Sequence, residues 1–194
     1  AAIILMRDVL DENPGNVPAL MFYGDILAHD RKLAKAIEAY DKVLLAEPGN
    51  SQAMVNRGSA LLGTGRPSSA VNAANAALAI SDKSVPATAL LSKAQAAVGE
   101  MREAMTACER IGVLTNSKAQ VDWCRAAAQN QAGNTFVAVR MFISALNTGE
   151  QGFVREKQIG MRSRGLYSGA VNGTSNQDLI DAVTKCAVAE DCIL

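Results

Sequence analysis

The sequence predicts an all-α protein: a right-handed α-solenoid of antiparallel helix pairs, followed by a small helical C-terminal module. Three observations support this fold class. The tripeptide Pro14-Gly15-Asn16 returns as Pro48-Gly49-Asn50, 34 residues later. Alanines recur with the same period, at Ala2, Ala36, Ala70, Ala104 and Ala138. The hydrophobic content is 49% but the aromatic content is only 4%, which is typical of helices that pack through small residues. A fixed period of this length indicates stacked repeats.

Other columns keep one side-chain character at the same period. Small residues are expected where two helices cross closely, because a larger side chain there would overpack the contact at about 1–3 kcal/mol. The small column is Gly24, Gly58, Ser92 and Ala126, and the two apolar columns are Val9, Val43, Ala77, Ile111 and Ala145, and Met6, Tyr40, Ala74, Cys108 and Phe142. Gly65, Gly99 and Gly133 form a further column, which predicts a left-handed cap at the end of each first helix.

The second unit resembles the tetratricopeptide repeat family. The residues that carry the likeness are Leu20, Tyr23, Gly24, Leu27, Ala36, Tyr40, Val43 and Pro48. The resemblance covers residues 1–148 and implies a half repeat at 1–16 and full units at 17–50, 51–84, 85–118 and 119–148. Because Ala2 aligns with Ala36, we expect the chain to open inside the second helix of a repeat. We therefore expect at least one more helix upstream in the parent protein.

The repeat frame ends near Thr148, and residues 153–194 predict a helix-loop-helix. A first helix is expected over 154–165, and Thr174, Ser175 or Asn176 is expected to cap the second. Residues 154–187 resemble part of a peptidoglycan-binding-like module of bacterial wall proteins, carried by Leu166, Tyr167, Gly169, Val171, Gly173, Leu179, Ala182 and Val183. The resemblance implies binding to the wall. The alternative is a hairpin that only covers the last repeat.

Composition and motifs argue against several classes of function. The 19 basic and 19 acidic residues balance, so a nucleic-acid groove, which needs a basic excess, is not expected. No run of 18 apolar residues is present, so no membrane span is predicted. The sequence has no nucleophile elbow, phosphate loop or zinc pattern. We therefore expect no enzyme activity, no cofactor and no metal site.

The four cysteines leave two interpretations open. Cys108 and Cys124 are expected on neighbouring helices, and Cys186 and Cys192 lie close together in the sequence. They are either two local disulfides or four reduced cysteines that act as small apolar side chains. Disulfides would place the protein in an oxidising compartment. A periplasmic or exported location is therefore expected, with the cytoplasm as the alternative.

The family resemblance places partner binding in a concave groove formed by the first helix of each unit. The candidate groove residues are Met21, Phe22, Asp25, His29, Val55, Asn56, Ser59, Ala89, Leu90, Lys93 and Trp123. Phe22 and Trp123 are expected either to anchor apolar side chains of a partner or to belong partly to the core. Only Asn56 and Lys93 resemble the basic groove of the members that bind chaperone tails, so such a tail is not the expected ligand.

These features predict a non-enzymatic scaffold for protein–protein interaction, in which a protein or peptide ligand occupies the groove. The expected setting is a bacterial envelope or secretion assembly. The alternative function is a cell-wall protein whose C-terminal module binds peptidoglycan.

Overall fold

The structure, a computed structural model, describes the backbone of residues 2–189 and the side chains of residue 6 and residues 8–189. The described residues form eleven α-helices and no strand, which confirms the all-α prediction. In chain order the helices are α1 (Ala2–Glu12), α2 (Val17–His29), α3 (Leu33–Ala46), α4 (Ser51–Gly63), α5 (Pro67–Ile80), α6 (Val85–Val98), α7 (Met101–Thr115), α8 (Lys118–Gln131), α9 (Thr135–Thr148), α10 (Gln151–Ser163) and α11 (Gln177–Val188).

The helices pack in pairs, as the repeat predicts. Helix α2 packs on α3, α4 on α5, and α8 on α9, and each of these pairs is joined by a short turn. Successive pairs are in contact through α3 and α4 and through α7 and α8. The chain forms two compact units, at residues 1–94 and 95–194. Among the described residues, no helix is both long and apolar enough to cross a membrane.

Asparagine and serine side chains begin the first helices at the repeat period. Asn16 Oδ1 accepts a hydrogen bond from the amide three residues later at 3.0 Å, and Asn50 does the same at 2.9 Å. Ser84, the next member of this column, caps α6 through its Oγ at 3.3 Å. These caps satisfy amides at the helix start that have no partner inside the helix.

The turns that end the first helices use a left-handed residue, as predicted. Gly65, Gly99 and Gly133 have φ of 74°, 98° and 84°. Arg31 stands in the same column of the second unit and has φ 62°. Its side chain makes this conformation less favourable than it is for glycine, so the turn is fixed by the packing of α2 on α3 and not by local preference.

The small-residue columns lie where helices cross. Ala36, Ala70, Ala104 and Ala138 are each fully buried, whereas the side chain of Ala2 lies outside the described part. A Cβ atom at Gly24 would lie 2.6 Å from the ring of Tyr40. The predicted close crossing is therefore confirmed, because the buried aromatic ring already occupies the space that a side chain at position 24 would need.

The C-terminal helices pack on the last repeat. Phe142 and Leu146 of α9 belong to one buried cluster with Phe153 of α10 and with Leu179 and Val183 of α11. The cluster shows that this region covers the apolar surface of α8 and α9. Residues 190–194, the end of the predicted module, lie outside the described part of the chain.

The boundaries of these helices differ in detail from the prediction. Helix α10 covers 151–163 and not 154–165, because Glu150 is extended and Gly165, with φ 70°, ends the turn that follows the helix. Of the three capping candidates, Asn176 is the N-cap of α11, since its Oδ1 accepts from the amide of Leu179 at 2.9 Å.

A buried glutamine on α10 holds the loop between α10 and α11. The Gln158 side chain has no exposure, and its Oε1 accepts from the amides of Asn172 and Gly173 at 3.0 and 2.8 Å. Its Nε2 donates to the Thr174 carbonyl at 3.0 Å and also lies 3.3 Å from the Tyr167 hydroxyl. The side-chain amide of Gln158 thus supplies the hydrogen-bond partners that the backbone of this irregular loop does not find in a helix or a sheet.

The same loop is closed by a tyrosine. The Tyr167 hydroxyl donates to the Ala170 carbonyl at 2.8 Å and accepts from Asn176 Nδ2 at 3.2 Å. Gly173 has φ 78°, and a Cβ atom there would lie 2.5 Å from the carbonyl oxygen of Gln151. The turn therefore requires glycine both for its conformation and for its closeness to α10.

Replacing Gln158 by alanine should strongly destabilise the C-terminal loop. The change leaves the amides of Asn172 and Gly173 without their acceptor. Because Gly173 is buried, we expect a loss of about 1–3 kcal/mol in the free energy of unfolding of this region. Hydrogen exchange of the Asn172 and Gly173 amides provides a local measurement. The matched control is Gln177→Ala, which removes one exposed hydrogen bond to Asp181 and should leave the protection intact. Equal protection in both variants would contradict the role of Gln158.

Candidate functional site

Three polar side chains connect the first helices of two successive repeats. Asp25 on α2 accepts a hydrogen bond at Oδ1 from Asn56 Nδ2 on α4, at 2.8 Å. Asn56 Oδ1 in turn accepts from Gln52 Nε2, one helical turn earlier, at 2.7 Å. We name Asp25, Gln52 and Asn56 the polar strip. It shows that α2 and α4 lie side by side and present hydrogen-bonding groups on one surface.

A core residue fixes the position of the polar strip. The Tyr40 ring is buried under α2, and its hydroxyl donates to Asp25 Oδ1 at 2.7 Å. Burial and the hydrogen bond to the Asp25 carboxylate raise the pKa of the Tyr40 phenol, so this group remains a neutral donor across the physiological range. A buried side chain of the core thus fixes the position of the exposed Asp25 carboxylate through a hydrogen bond.

The candidate residues on α2 are the most accessible. Phe22 is 54% exposed, Asp25 and His29 are also exposed, and Met21 is half-buried. Phe22 and Asp25 are three residues apart, so they lie on the same face of the helix. An apolar and a charged group are therefore available together beside the polar strip.

The candidate residues on α4 and α6 are less accessible. Asn56 and Ser59 are half-buried, and Ser59 Oγ donates to the Val55 carbonyl at 3.0 Å. Val55 and Leu90 belong to the buried core of residues 1–94. On α6, Ala89 and Lys93 are half-buried. Within this unit the exposed candidates are therefore Phe22, Asp25 and His29. Asn56 is connected to them through its hydrogen bond to Asp25.

Phe22 belongs to a column of the repeat whose later members contact the preceding first helix. The equivalent residue one repeat later is Asn56, which turns back to Asp25 on the preceding first helix. The equivalent after that is Leu90, whose Cδ2 approaches the position of Gly58 on its preceding first helix. This column therefore faces the preceding unit. Phe22 precedes Asn56 in this column and is 54% exposed.

Trp123 lies in the other compact unit and packs on its core. Its ring centroid is 4.6 Å from that of Phe142 and 5.7 Å from that of Phe153. Lys157 Nζ lies 4.9 Å from the centre of the tryptophan ring. Trp123 is half-buried in this cluster, so most of its apolar surface already has partners. Its role as an anchor for a ligand stays a prediction.

Two of the cysteines join helices α7 and α8. Cys108 and Cys124 form a disulfide with a Cα–Cα distance of 5.5 Å, and both are buried. Cys186 is also disulfide-bonded, whereas Cys192, its predicted partner, lies outside the described residues. In the described part of the chain, no group of three or more His, Cys, Asp or Glu side chains could hold a metal ion.

A shallow cleft lies beside the loop that Gln158 holds. Its volume is about 260 Å³. It is lined by Leu166, Tyr167, Ser168, Asp178, Asp181, Ala182 and Lys185. The cleft therefore combines an aromatic edge with carboxylates, a hydroxyl and an amine on the segment that resembles a peptidoglycan-binding-like module.

The sequence analysis missed two residues that shape the face of α2 and α4, Tyr40 and Gln52. Tyr40 was expected in an apolar column of the core. Its hydroxyl also donates to Asp25 and thereby fixes the orientation of that carboxylate. Gln52 is four residues before Asn56 and bonds to it. The sequence did contain a signal for Gln52, because polar side chains four residues apart on a helix are neighbours.

The family model of the tetratricopeptide repeat matches residues 1–51 and 31–86. Among solved structures, MamA is 24% identical with a TM-score of 0.61, and the match covers 74% of this chain and 84% of that one. PilW, a type IV pilus biogenesis factor, is 18% identical with a TM-score of 0.61, covering 82% and 76%. YrrB, described as a tetratricopeptide repeat protein with an unusual peptide-binding site, is 14% identical with a TM-score of 0.56, covering 82% of both chains.

No curated protein matches the sequence. At these identities the solved structures show the fold alone, and the fold agrees with the pairing of the helices and with the buried columns described above. Residues 1–86 therefore match the tetratricopeptide repeat model, and the described helices have the all-α solenoid fold of the similar solved structures.

Proposed function

We propose that the chain is a non-enzymatic scaffold that binds a segment of another protein on the exposed face of α2 and α4. The polar strip and the neighbouring Phe22 carry this proposal. Asp25 is bonded both to a core tyrosine and to the next repeat, so the surface is ordered before a ligand arrives. A preformed surface loses little conformational entropy on binding, which favours affinity.

The similar proteins support a binding role. YrrB is described with a peptide-binding site and PilW as a pilus biogenesis factor. Among the described residues of α2 and α4, the exposed groups offer hydrogen bonds and apolar contact, which are the interactions that recognise an extended peptide. We extend the proposal to the setting of such an assembly, a bacterial envelope or secretion complex.

Removing the two central groups of this surface should weaken ligand binding. Peptides selected from a phage-displayed library of short random sequences on the wild type should bind Phe22→Ala combined with Asn56→Ala at least about tenfold more weakly, since a buried anchor contributes more than about 1 kcal/mol. The affinities can be measured by fluorescence anisotropy, with circular dichroism to verify folding.

The matched control for this experiment is Phe136→Ala. Phe136 is a strongly exposed phenylalanine on α9 and is 76% accessible, so its removal changes the apolar surface elsewhere. The selected peptides should bind this variant like the wild type. If the double variant binds the peptides as tightly as the wild type, the face of α2 and α4 is not the binding site.

We propose that the protein works in an oxidising compartment, with the periplasm as the best candidate. The disulfide between Cys108 and Cys124 supports this, because thiols in a reducing cytosol rarely remain paired. In protein isolated from its native cells under acid quench, both cysteines should resist alkylation until a reductant is added. Alkylation of both before reduction would contradict export and favour the cytoplasm.

A second candidate function is binding of the cell wall by the C-terminal region. The cleft lined by Tyr167, Ser168 and Lys185 favours it, since sugars and short peptides are bound by an aromatic edge with polar groups around it. If this function is present, the intact chain should sediment with purified peptidoglycan.

Point variants test the wall hypothesis better than a deletion, because α10 and α11 share a core with the last repeat. Asp181→Ala combined with Lys185→Ala should leave the protein in the supernatant. The control Lys42→Ala removes an exposed lysine of α3 and should sediment like the wild type. A wild-type chain that does not sediment would exclude wall binding.

A further inference from the structure

Helices α2 and α4 contain few titratable residues. Apart from Tyr23, the titratable residues of α2 are Asp25 and His29, and α4 contains a single one, Arg57. The Arg57 guanidinium is already engaged, since its Nε donates to Asp41 on α3 at 2.5 Å. His29 Nδ1 lies 3.8 Å from Oδ1 of Asp30, so its neighbour is already a carboxylate. The carboxylate that α2 and α4 themselves present is that of Asp25.

The hydrogen bonds of Asp25 leave one of its oxygens for a ligand. Both Tyr40 and Asn56 donate to Oδ1, and in the described part of the chain no hydrogen bond to Oδ2 is found. A carboxylate has about four lone-pair positions. The side chain is exposed, so Oδ2 is accessible from solvent while Oδ1 holds the group in place.

We infer that this face selects a partner segment that carries a lysine or arginine beside an apolar side chain. The cation would meet Asp25 Oδ2, and the apolar group would cover Phe22 on the same face. This inference rests on the proposed function and specifies its ligand. A segment that ends in carboxylates would instead place like charges together, which disfavours binding.

Lys93 does not change this balance. It is half-buried on α6 and takes part in an interaction within the chain. Because it lies on α6, it does not belong to the face of α2 and α4. The charge complementarity of the α2 and α4 face is set by Asp25, which favours a basic segment over an acidic one.

The test uses the peptides selected from the random library on the wild-type chain. Some of these peptides should lose binding when Phe22→Ala is combined with Asn56→Ala, and these are the ligands of the α2 and α4 face. They should contain Lys or Arg more often than Asp or Glu. Asp25→Asn should bind them about fivefold more weakly, which corresponds to one exposed ion pair. The loss should shrink at high salt.

Two features of the design separate charge from structure. Asparagine keeps an oxygen that accepts from Tyr40 and Asn56, so Asp25→Asn should unfold like the wild type. Glu38→Gln removes the same charge from an exposed residue of α3 and should leave affinity unchanged.

The outcomes distinguish this inference from the proposed function. If the selected peptides need Phe22 and Asn56 but are neutral or acidic, or bind Asp25→Asn equally well, the inference is overturned while the scaffold proposal stands. If no selected peptide depends on Phe22 and Asn56, both are overturned. Basic peptides that lose affinity in Asp25→Asn but not in Glu38→Gln would establish the inference.

Discussion

The close crossing of the two helices in a repeat depends on residues with little or no side chain at fixed positions. Gly24 allows the Tyr40 ring to lie directly against α2, where a Cβ atom would be 2.6 Å from the ring. The ring is thereby placed so that its hydroxyl reaches Asp25 at 2.7 Å. A packing requirement of the core thus determines the position of an exposed carboxylate, and the proposed binding surface follows from the fold.

One column of the repeat shows how a single structural position can serve different purposes. Phe22 is exposed, Asn56 joins α4 to α2, Leu90 fills the core above Gly58, and Cys124 forms a disulfide with α7. All of the last three contact the preceding unit. The period fixes the direction in which the side chain points, and its chemistry then decides between an apolar surface, a polar bridge, core packing and a covalent link.

The sequence was sufficient to predict the helix pairs, the buried columns and the glycine turns, because these depend on period and side-chain size. It was not sufficient to predict the polar strip. The period shows which residues are equivalent, but it does not show that Asp25 and Asn56 adopt rotamers that meet. Val55 was included among the groove candidates although it is buried. Its neighbour Asn56 is half-buried, and one residue along a helix turns the side chain by about 100°.

Gln158 illustrates a different limit of sequence reasoning. It stands between Val154 and Met161 at the spacing of the apolar stripe of α10, and all three are buried. A polar residue in such a stripe is a signal for a buried hydrogen-bond network. Its partners could not be identified, because they are backbone amides of a loop whose path depends on the glutamine itself.

The later repeats have polar residues at a position where the earlier repeats have large apolar ones. Thr88 and Asp122 occupy the position of Leu20 and Met54, and both are buried. The Thr88 hydroxyl donates to the Ser84 carbonyl at 2.8 Å, and Asp122 pairs with Lys118. Such polar substitutions contribute less than apolar packing, since desolvation offsets most of the gain.

The disulfide and the C-terminal helices add stabilising contacts to the later repeats. A cross-link over a loop of this size stabilises by about 3 kcal/mol in the chain-entropy description, and Cys108 and Cys124 place it between α7 and α8. Phe153 and Leu179 then cover the apolar surface of α9. Residues 151–189 are therefore part of the core of residues 95–194. Because this region shares its core with the last repeat, its presence alone does not indicate wall binding. The feature that bears on that function is the cleft beside Tyr167.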